Sequence, residues 1–278
     1  MAGFVSIVGR PLFGRRVIVT RASHQADELL HMLAAKGADA VAFPCLAIAA
    51  PEDANALARE IADLPARDGL ILSSPNGVRA FFDALHAAGF GARRLHGKTV
   101  AVIGTGTAKH CQARGLRPSL IPAEPRAEGL CAELHARGLL TQSWLHVRAD
   151  EGRALLQAAI QRAGGDYHLA IGYRTIRPQV PTMLVRSLRA ASEGGEGCDV
   201  IAFASGKSAR HFVETLTEHV GADVTRAILA RAKVVVLGPV TAAAAEAIGI
   251  RVDQIAASTD DASMLAAILE VCSPKPKL

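Results

Sequence analysis

Val100-Ala-Val-Ile-Gly104-Thr-Gly-Thr107-Ala108 occurs twice in this chain, the second time as Val234-Val-Val-Leu-Gly238-Pro-Val-Thr241-Ala242, 134 positions later. The match runs on without a gap, placing Gly115 on Gly249, Arg117 on Arg251 and Ile121 on Ile255. Ser73-Ser74 and Phe81 recur as Ala204-Ser205 and Phe212, and Thr20-Arg21-Ala22, with Gly37 and Asp39, recurs as Val147-Arg148-Ala149, with Gly164 and Asp166. A period of about 130 residues far exceeds the roughly 20–50 of a solenoid unit and has the size of a domain. The 278-residue chain therefore reads as two similar lobes. Two lobes imply a cleft, and clefts at domain interfaces are where ligands preferentially bind.

Short β-branched runs alternate with Ala/Leu-rich amphipathic stretches, the pattern of parallel-sheet α/β architecture. Strands are expected at Val17–Thr20, Leu70–Ser73, Thr99–Ile103, Leu120-Ile121 and Trp144–Val147. Helices are expected from Ser23 (as cap) to Lys36, Pro75 to Leu85, Thr105 to Arg114, Ala127 to Arg137 and Gly152 to Arg162. The second copy supplies Val200–Phe203, Ser205–His219, Val234–Leu237, Val240–Ile248, Val252–Ile255 and Asp261–Val271. Val41–Ile48 and His168–Ile176 follow the two Arg-Ala units in equivalent places and are expected as antiparallel connectors belonging to neither lobe. Ser192–Gly197 reads as a surface loop. A tandem cut near residue 140 and a discontinuous first lobe built from both ends of the chain are both allowed; paired connectors favour the second.

Composition narrows the function. Half of the residues are apolar and the net charge is only +5, so disorder is excluded. Scattered basic residues suit an acidic small molecule at least as well as a polyphosphate backbone. With 4% aromatic residues, a base-stacking surface is poorly supplied and nucleic acid is not an expected partner. Five widely spaced cysteines without a CxxC pair read as small apolar residues of a reducing cytoplasm. The first ten residues do not form a signal peptide, and no run has the roughly 18 apolar residues of a membrane helix. No membrane partner is expected.

Candidate chemistry gathers at strand ends. Gly104 to Thr107 and Gly238 to Thr241 each put a hydroxyl into a first helical turn, where free N–H groups and the helix dipole attract anions. Ser73-Ser74-Pro75-Asn76-Gly77 and Ser205-Gly206-Lys207-Ser208 are turns of the same kind. Each alone could be an ordinary helix cap; together they occur in both lobes, at the carboxyl ends of strands, where open α/β sheets bind ligands. Gly104-Thr-Gly106 lacks the third glycine of a dinucleotide fingerprint, Lys109 standing there. No two of the ten histidines lie within four residues of each other, so local metal-ligand pairs are lacking; His86, His96 and His146 read as surface or helix-face residues. Arg21 and Arg148 stand at equivalent strand ends, where a guanidinium can fork onto a carboxylate or pair structurally. Tyr173 could donate a proton or hydrogen bond, or simply pack.

Val17-Ile-Val-Thr20-Arg21, Phe43-Pro44, Ser73-Ser74-Pro75-Asn76-Gly77-Val78, Val102-Ile-Gly104-x-x-Thr107-Ala108, Tyr173-Arg-Thr175 and Leu237-Gly-Pro-x-Thr241-Ala242 together resemble uroporphyrinogen-III synthase. The resemblance spans about Arg15 to Val271. It implies an α/β fold of two flavodoxin-like lobes with parallel sheets, joined by a two-stranded antiparallel linker. The lobes would be 1–40 plus 179–278 and 49–167, with 41–48 and 168–178 connecting them. It also implies a cytoplasmic, monomeric enzyme without metal or organic cofactor. Its substrate would be hydroxymethylbilane, a linear tetrapyrrole with eight carboxylates, cyclised with inversion of the last ring and loss of water. Tyr173 matches the family's linker tyrosine and is expected to assist departure of the hydroxyl. Arg21, Ser74, Pro75, Asn76, Thr107, Arg148, Ser205, Lys207 and Thr241 are the expected substrate contacts. Ser205-Gly206-Lys207 departs from the Ser-Pro-Ser of many relatives, so Lys207 is either an extra carboxylate partner or solvated. A non-enzymatic two-lobe binding module for an anion is the competing reading, and a nucleic-acid regulator a third.

Overall fold

The structure, a computed structural model, describes residues 10–21, 23–192 and 198–273. Its elements run β1 (Arg16–Val19), α1 (Ser23–Ala35), β2 (Asp39–Ala42), β3 (Ala47–Ala49), α2 (Ala56–Ala62), β4 (Gly69–Leu72), α3 (Pro75–Ala87), β5 (Thr99–Val102), α4 (Thr105–Gln112) and α5 (Ala127–Ala136). They continue as β6 (Trp144–Ala149), α6 (Leu155–Arg162), β7 (Tyr167–Ile176), α7 (Thr182–Ser192), β8 (Val200–Phe203), α8 (Gly206–Val220), α9 (Ala222–Arg231), β9 (Lys233–Val236), α10 (Pro239–Glu246), β10 (Gln254–Ile255) and α11 (Asp261–Cys272). The fold is mixed α/β with parallel sheets.

Two compact units result: the described residues up to Ala47 together with those from Ile176 onward, and Ile48–Thr175. The first holds a sheet ordered β2-β1-β8-β9-β10, the second a sheet ordered β3-β7-β6-β4-β5. Neighbours β1–β2, β1–β8, β8–β9 and β9–β10 are parallel, as are β4–β5, β4–β6 and β6–β7. Reading β2-β1-β8-β9 against β7-β6-β4-β5 puts every strand where its sequence repeat sits. The repeat is a repeat of a sheet.

Each sheet is covered on both faces, which is why its central strands are near-continuous apolar runs. In the first unit Ile201 and Phe203 pack with Phe212 and Leu216 of α8 and Ile228 of α9. The alternate residues, Val200 and Ala202, face Leu29 and Leu33 of α1 and Ile268 of α11. In the second unit Leu70 and Leu72 meet Phe81, Phe82 and Leu85 of α3 and Cys111 of α4. Ile71 and Trp144 meet Leu130 and Leu134 of α5 and Ile160 of α6 on the other face. Each such fully buried side chain contributes roughly 1.5–3 kcal/mol.

Several sequence expectations shift. The expected connectors are mostly sheet strands: Val41 and Ala42 close β2 in the first sheet, Ala47 and Ile48 lie in β3, and His168–Ile176 lies within β7 of the second. Leu120-Ile121 is not a strand but makes one isolated bridge, Leu120 to Ala101, and β10 is only two residues long. Helix α6 begins at Leu155 rather than Gly152. Helices α2, α7 and α9 are additional to the sequence expectation. The capping role of Ser23, and the Ser192–Gly197 loop beyond Ser192, lie outside the described residues. No helix among the described residues is long and apolar enough to cross a membrane.

Candidate active site

In the second unit the sheet order β7-β6-β4-β5 brings Tyr173, Arg148, Ser74 and Thr107 onto or just beyond neighbouring strands. Ser74 follows β4 as the N-cap of α3. Its backbone is extended and its Oγ accepts the Gly77 N–H at 3.1 Å, satisfying one of the open donors of the helix start. Pro75 fills the first helical position, where the missing N–H costs nothing. Asn76 Oδ1 accepts from Arg79 Nη2 at 2.9 Å.

Tyr173 reaches this helix start through an irregularity in β7. Arg148 of β6 pairs with Ile171 and Ala149 with Tyr173, so Gly172 is left over as a bulge. The extra residue changes which face Tyr173 presents, and its hydroxyl lies 2.8 Å from Ser74 Oγ. The bulge is tightly enclosed: a Cβ on Gly172 would lie 3.0 Å from both the Ala80 Cβ of α3 and the Val147 Cγ1 of β6.

The equivalent arginines differ. Arg21 forms an ion pair with Asp261 in the first turn of α11, both side chains being largely buried at 13% and 14% exposure. Arg148 has no carboxylate partner among the described residues; its Nη1 donates to the Ala149 carbonyl at 3.2 Å.

In the first unit Ser205 caps α8 in a reciprocal box: its Oγ accepts the Ser208 N–H at 3.1 Å, and Ser208 Oγ accepts the Ser205 N–H at 3.2 Å. Gly206 explains the departure at this turn, because a Cβ there would overlap the Ala244 side chain of α10. Lys207 is half-buried in the same first turn. Thr107 and Thr241 are 5% and 6% exposed, and Thr241 Oγ1 donates back to the Leu237 carbonyl at 3.1 Å. What α4 and α10 present outward is therefore backbone N–H rather than hydroxyl. None of α3, α4, α8 or α10 carries an acidic residue in its first turn, which leaves the positive end of each dipole uncompensated.

His146 corrects the sequence reading outright. It is a strand residue, 3% exposed, not a surface one. Burial, and then the Arg148 charge, push its imidazole down to about 3. The pattern Trp144-x-His146-x-Arg148 is the available signal, since alternate strand residues share a face. Cys45, Cys111 and Cys198 are buried and the others half-buried; burial pushes the Cys111 thiol up to about 11. Such thiols are inert at neutral pH. Among the described residues no group of three His, Cys, Asp or Glu side chains could hold a metal ion.

Residues 27–266 match the family model of uroporphyrinogen-III synthase HemD. The chain belongs to the uroporphyrinogen-III synthase family. A uroporphyrinogen-III synthase of Synechococcus elongatus is 30% identical over 216 residues, covering 77% of this chain and 79% of that protein. One from Chlorobaculum parvum is 26% identical over 258 residues, 92% of this chain and 98% of that one. The fold of a mutant uroporphyrinogen III synthase from the extremely thermophilic bacterium Thermus thermophilus superposes with a TM-score of 0.63 at 19% identity, covering 92% of this chain and 98% of that one. Membership in the uroporphyrinogen-III synthase family favours an enzyme of tetrapyrrole biosynthesis over a non-catalytic binding module.

Proposed function

We propose that this chain converts hydroxymethylbilane into uroporphyrinogen III, releasing water and inverting the last ring. The observation that supports this most is the Ser74–Tyr173 hydroxyl pair beside helix starts suited to anions. The bilane is activated enough to close unaided, but then without inversion. The protein's task is to hold a flexible polyanion so that the substituted carbon of the last ring attacks, through a spiro intermediate. Correct positioning alone can supply roughly 7–11 kcal/mol of the barrier, and it needs shape and donors rather than a nucleophile.

The donors divide naturally. Backbone N–H groups at the starts of α3 and α4, with Arg148, take up carboxylates in the second unit, and the starts of α8 and α10, with Lys207, offer the first unit donors of the same kind. Arg21 serves its unit through Asp261. Ser74 Oγ already accepts from Gly77; if it gives its own hydrogen to Tyr173, the phenol hydrogen is released for the departing hydroxyl. That makes Tyr173 the proton or hydrogen-bond donor to the leaving group. We also read each unit as a flavodoxin-like lobe. Counted along its own chain order, the first sheet runs 2-1-3-4-5, the doubly wound order that binds ligands at its strand ends.

Incubating the purified chain with hydroxymethylbilane and separating the oxidised product isomers tests the reading. Type III must dominate; a product indistinguishable from the spontaneous type I isomer rejects it.

A further inference from the structure

A cleft lined by charge of one sign concentrates ligands of the other, and the second unit has one apart from the carboxyl ends of its strands. It opens at the amino end of β5, opposite the end from which Gly104–Thr107 leave the sheet. Its volume is about 560 Å³, within the range of small-molecule sites. Buried Leu95, Val100 and Leu116 form its apolar part. Arg93, His96, Lys98 and Arg117 form its basic part, and no Asp or Glu lines it. Lys98 Nζ donates to the carbonyls of Pro65 and Arg67, neutral acceptors that fix the ammonium without cancelling its charge.

The sequence repeat shows how this charge comes to be left bare. In the first unit Asp253 Oδ2 accepts the Val234 N–H at 2.9 Å. The same carboxylate pairs with Arg251 at 3.2 Å and Lys233 at 3.1 Å. The 134-residue shift puts Ser119 on Asp253, Val100 on Val234 and Arg117 on Arg251. The backbone is the same in both units: Ser119 N–H donates to the Val100 carbonyl as Asp253 N–H does to that of Val234, each at 2.9 Å. Ser119 Oγ accepts the Val100 N–H at 2.9 Å, which does the work of the carboxylate with a neutral group. Arg117 is thereby left without a carboxylate partner among the described residues.

We infer that this cavity is a second binding site, for a small organic polyanion with an apolar body, of the aromatic polycarboxylate kind. Arg93 and Arg117 fork onto its carboxylates, Lys98 adds a fixed charge, and the ring lies on the apolar part. The site uses none of Ser74, Arg148 and Tyr173, and it stands whether or not the proposed reaction does.

Calorimetric titration of the full chain at low ionic strength with benzene-1,3,5-tricarboxylate tests the inference, with pyrophosphate supplying comparable charge and no apolar body. The unaltered chain binds the tricarboxylate, and pyrophosphate about threefold more weakly or worse, for want of apolar contact. Ser119→Asp restores the first unit's arrangement and weakens tricarboxylate binding about tenfold or more, the worth of a hydrogen bond to a charged group. Arg117→Ala does the same. The binding that these changes remove persists in Arg148→Ala, which takes away the carboxylate anchor of the proposed active site. Tricarboxylate binding that Ser119→Asp and Arg117→Ala leave intact overturns the inference. So does binding that disappears in Arg148→Ala, or none at millimolar concentration. Pyrophosphate binding as tight as that of the tricarboxylate overturns the role of the apolar part. Should Ser119→Asp fail to fold, Arg117→Ala, at an exposed residue, carries the test.

Discussion

The hydroxyl groups of Ser74 and Tyr173 lie 2.8 Å apart, one delivered by a helix cap and the other by a strand bulge. Tyr173→Phe should lower kcat about tenfold, less than the roughly 10²–10⁴ of a full general acid, with thermal stability unchanged. Ser74→Ala should lower kcat as well and cost about 1 kcal/mol through the lost cap. Rate assays and thermal melts on the two variants separate these effects; unchanged turnover in Tyr173→Phe removes the phenol from the mechanism.

Gly172 should tolerate little. With neighbours 3.0 Å from the place of its Cβ, Gly172→Val should destabilise the protein by about 1–3 kcal/mol through overpacking and move Tyr173 off Ser74. Both Tm and kcat should fall, and Ala80→Gly should return part of the loss. A Gly172→Val protein with unchanged Tm and rate would show that the bulge does not set the phenol.

Much of this architecture is legible in the chain. The repeat places β5 with β9 and β4 with β8, and the apolar runs of buried parallel strands mark them. What the sequence hides depends on distant partners. Arg21 meets Asp261 from across the chain, with no local trace of the pairing. His146 reads as a surface residue because its hydrogen-bond partner, the Tyr167 hydroxyl, stands 21 positions on. Val41–Ile48 and His168–Ile176 read as connectors because the chain does pass from one unit to the other within each, after Ala47 and after Thr175, although β2, β3 and β7 reach into them. Tyr173 can be singled out from its neighbours in sequence, but not its contact with Ser74, which needs the unpaired Gly172.

The two equivalent arginines should separate cleanly. Arg21→Ala leaves Asp261 largely buried and unpaired, and should cost about 3 kcal/mol or more, seen in urea unfolding, with KM little altered. Arg148→Ala should raise KM with a smaller change in stability. The reverse pattern would exchange their roles.

His146 gives the fold an acid sensitivity. Its folded pKa, about 3, lies below the ordinary 6.5, so the unfolded chain binds the extra proton between those values. Stability is therefore fully present above pH 6.5 and falls on acidification, by up to about 1.4 kcal/mol per pH unit. The lowered carboxyls Asp53, Glu128, Asp253 and Asp260 act only nearer pH 4, which leaves roughly pH 5–6.5 to the imidazole. Urea titrations across that window should show the slope in the unaltered protein and its loss in His146→Asn. A flat profile in the unaltered protein would mean the imidazole is not held neutral.

The central claim is that this chain directs which carbon closes the macrocycle. Its most direct measurement is the isomer ratio formed from hydroxymethylbilane by the purified chain, compared with the spontaneous reaction. Type III should predominate, with the type I background appearing only as activity is lost in variants of Tyr173 and Arg148. Type I alone, at the spontaneous rate, would contradict the account.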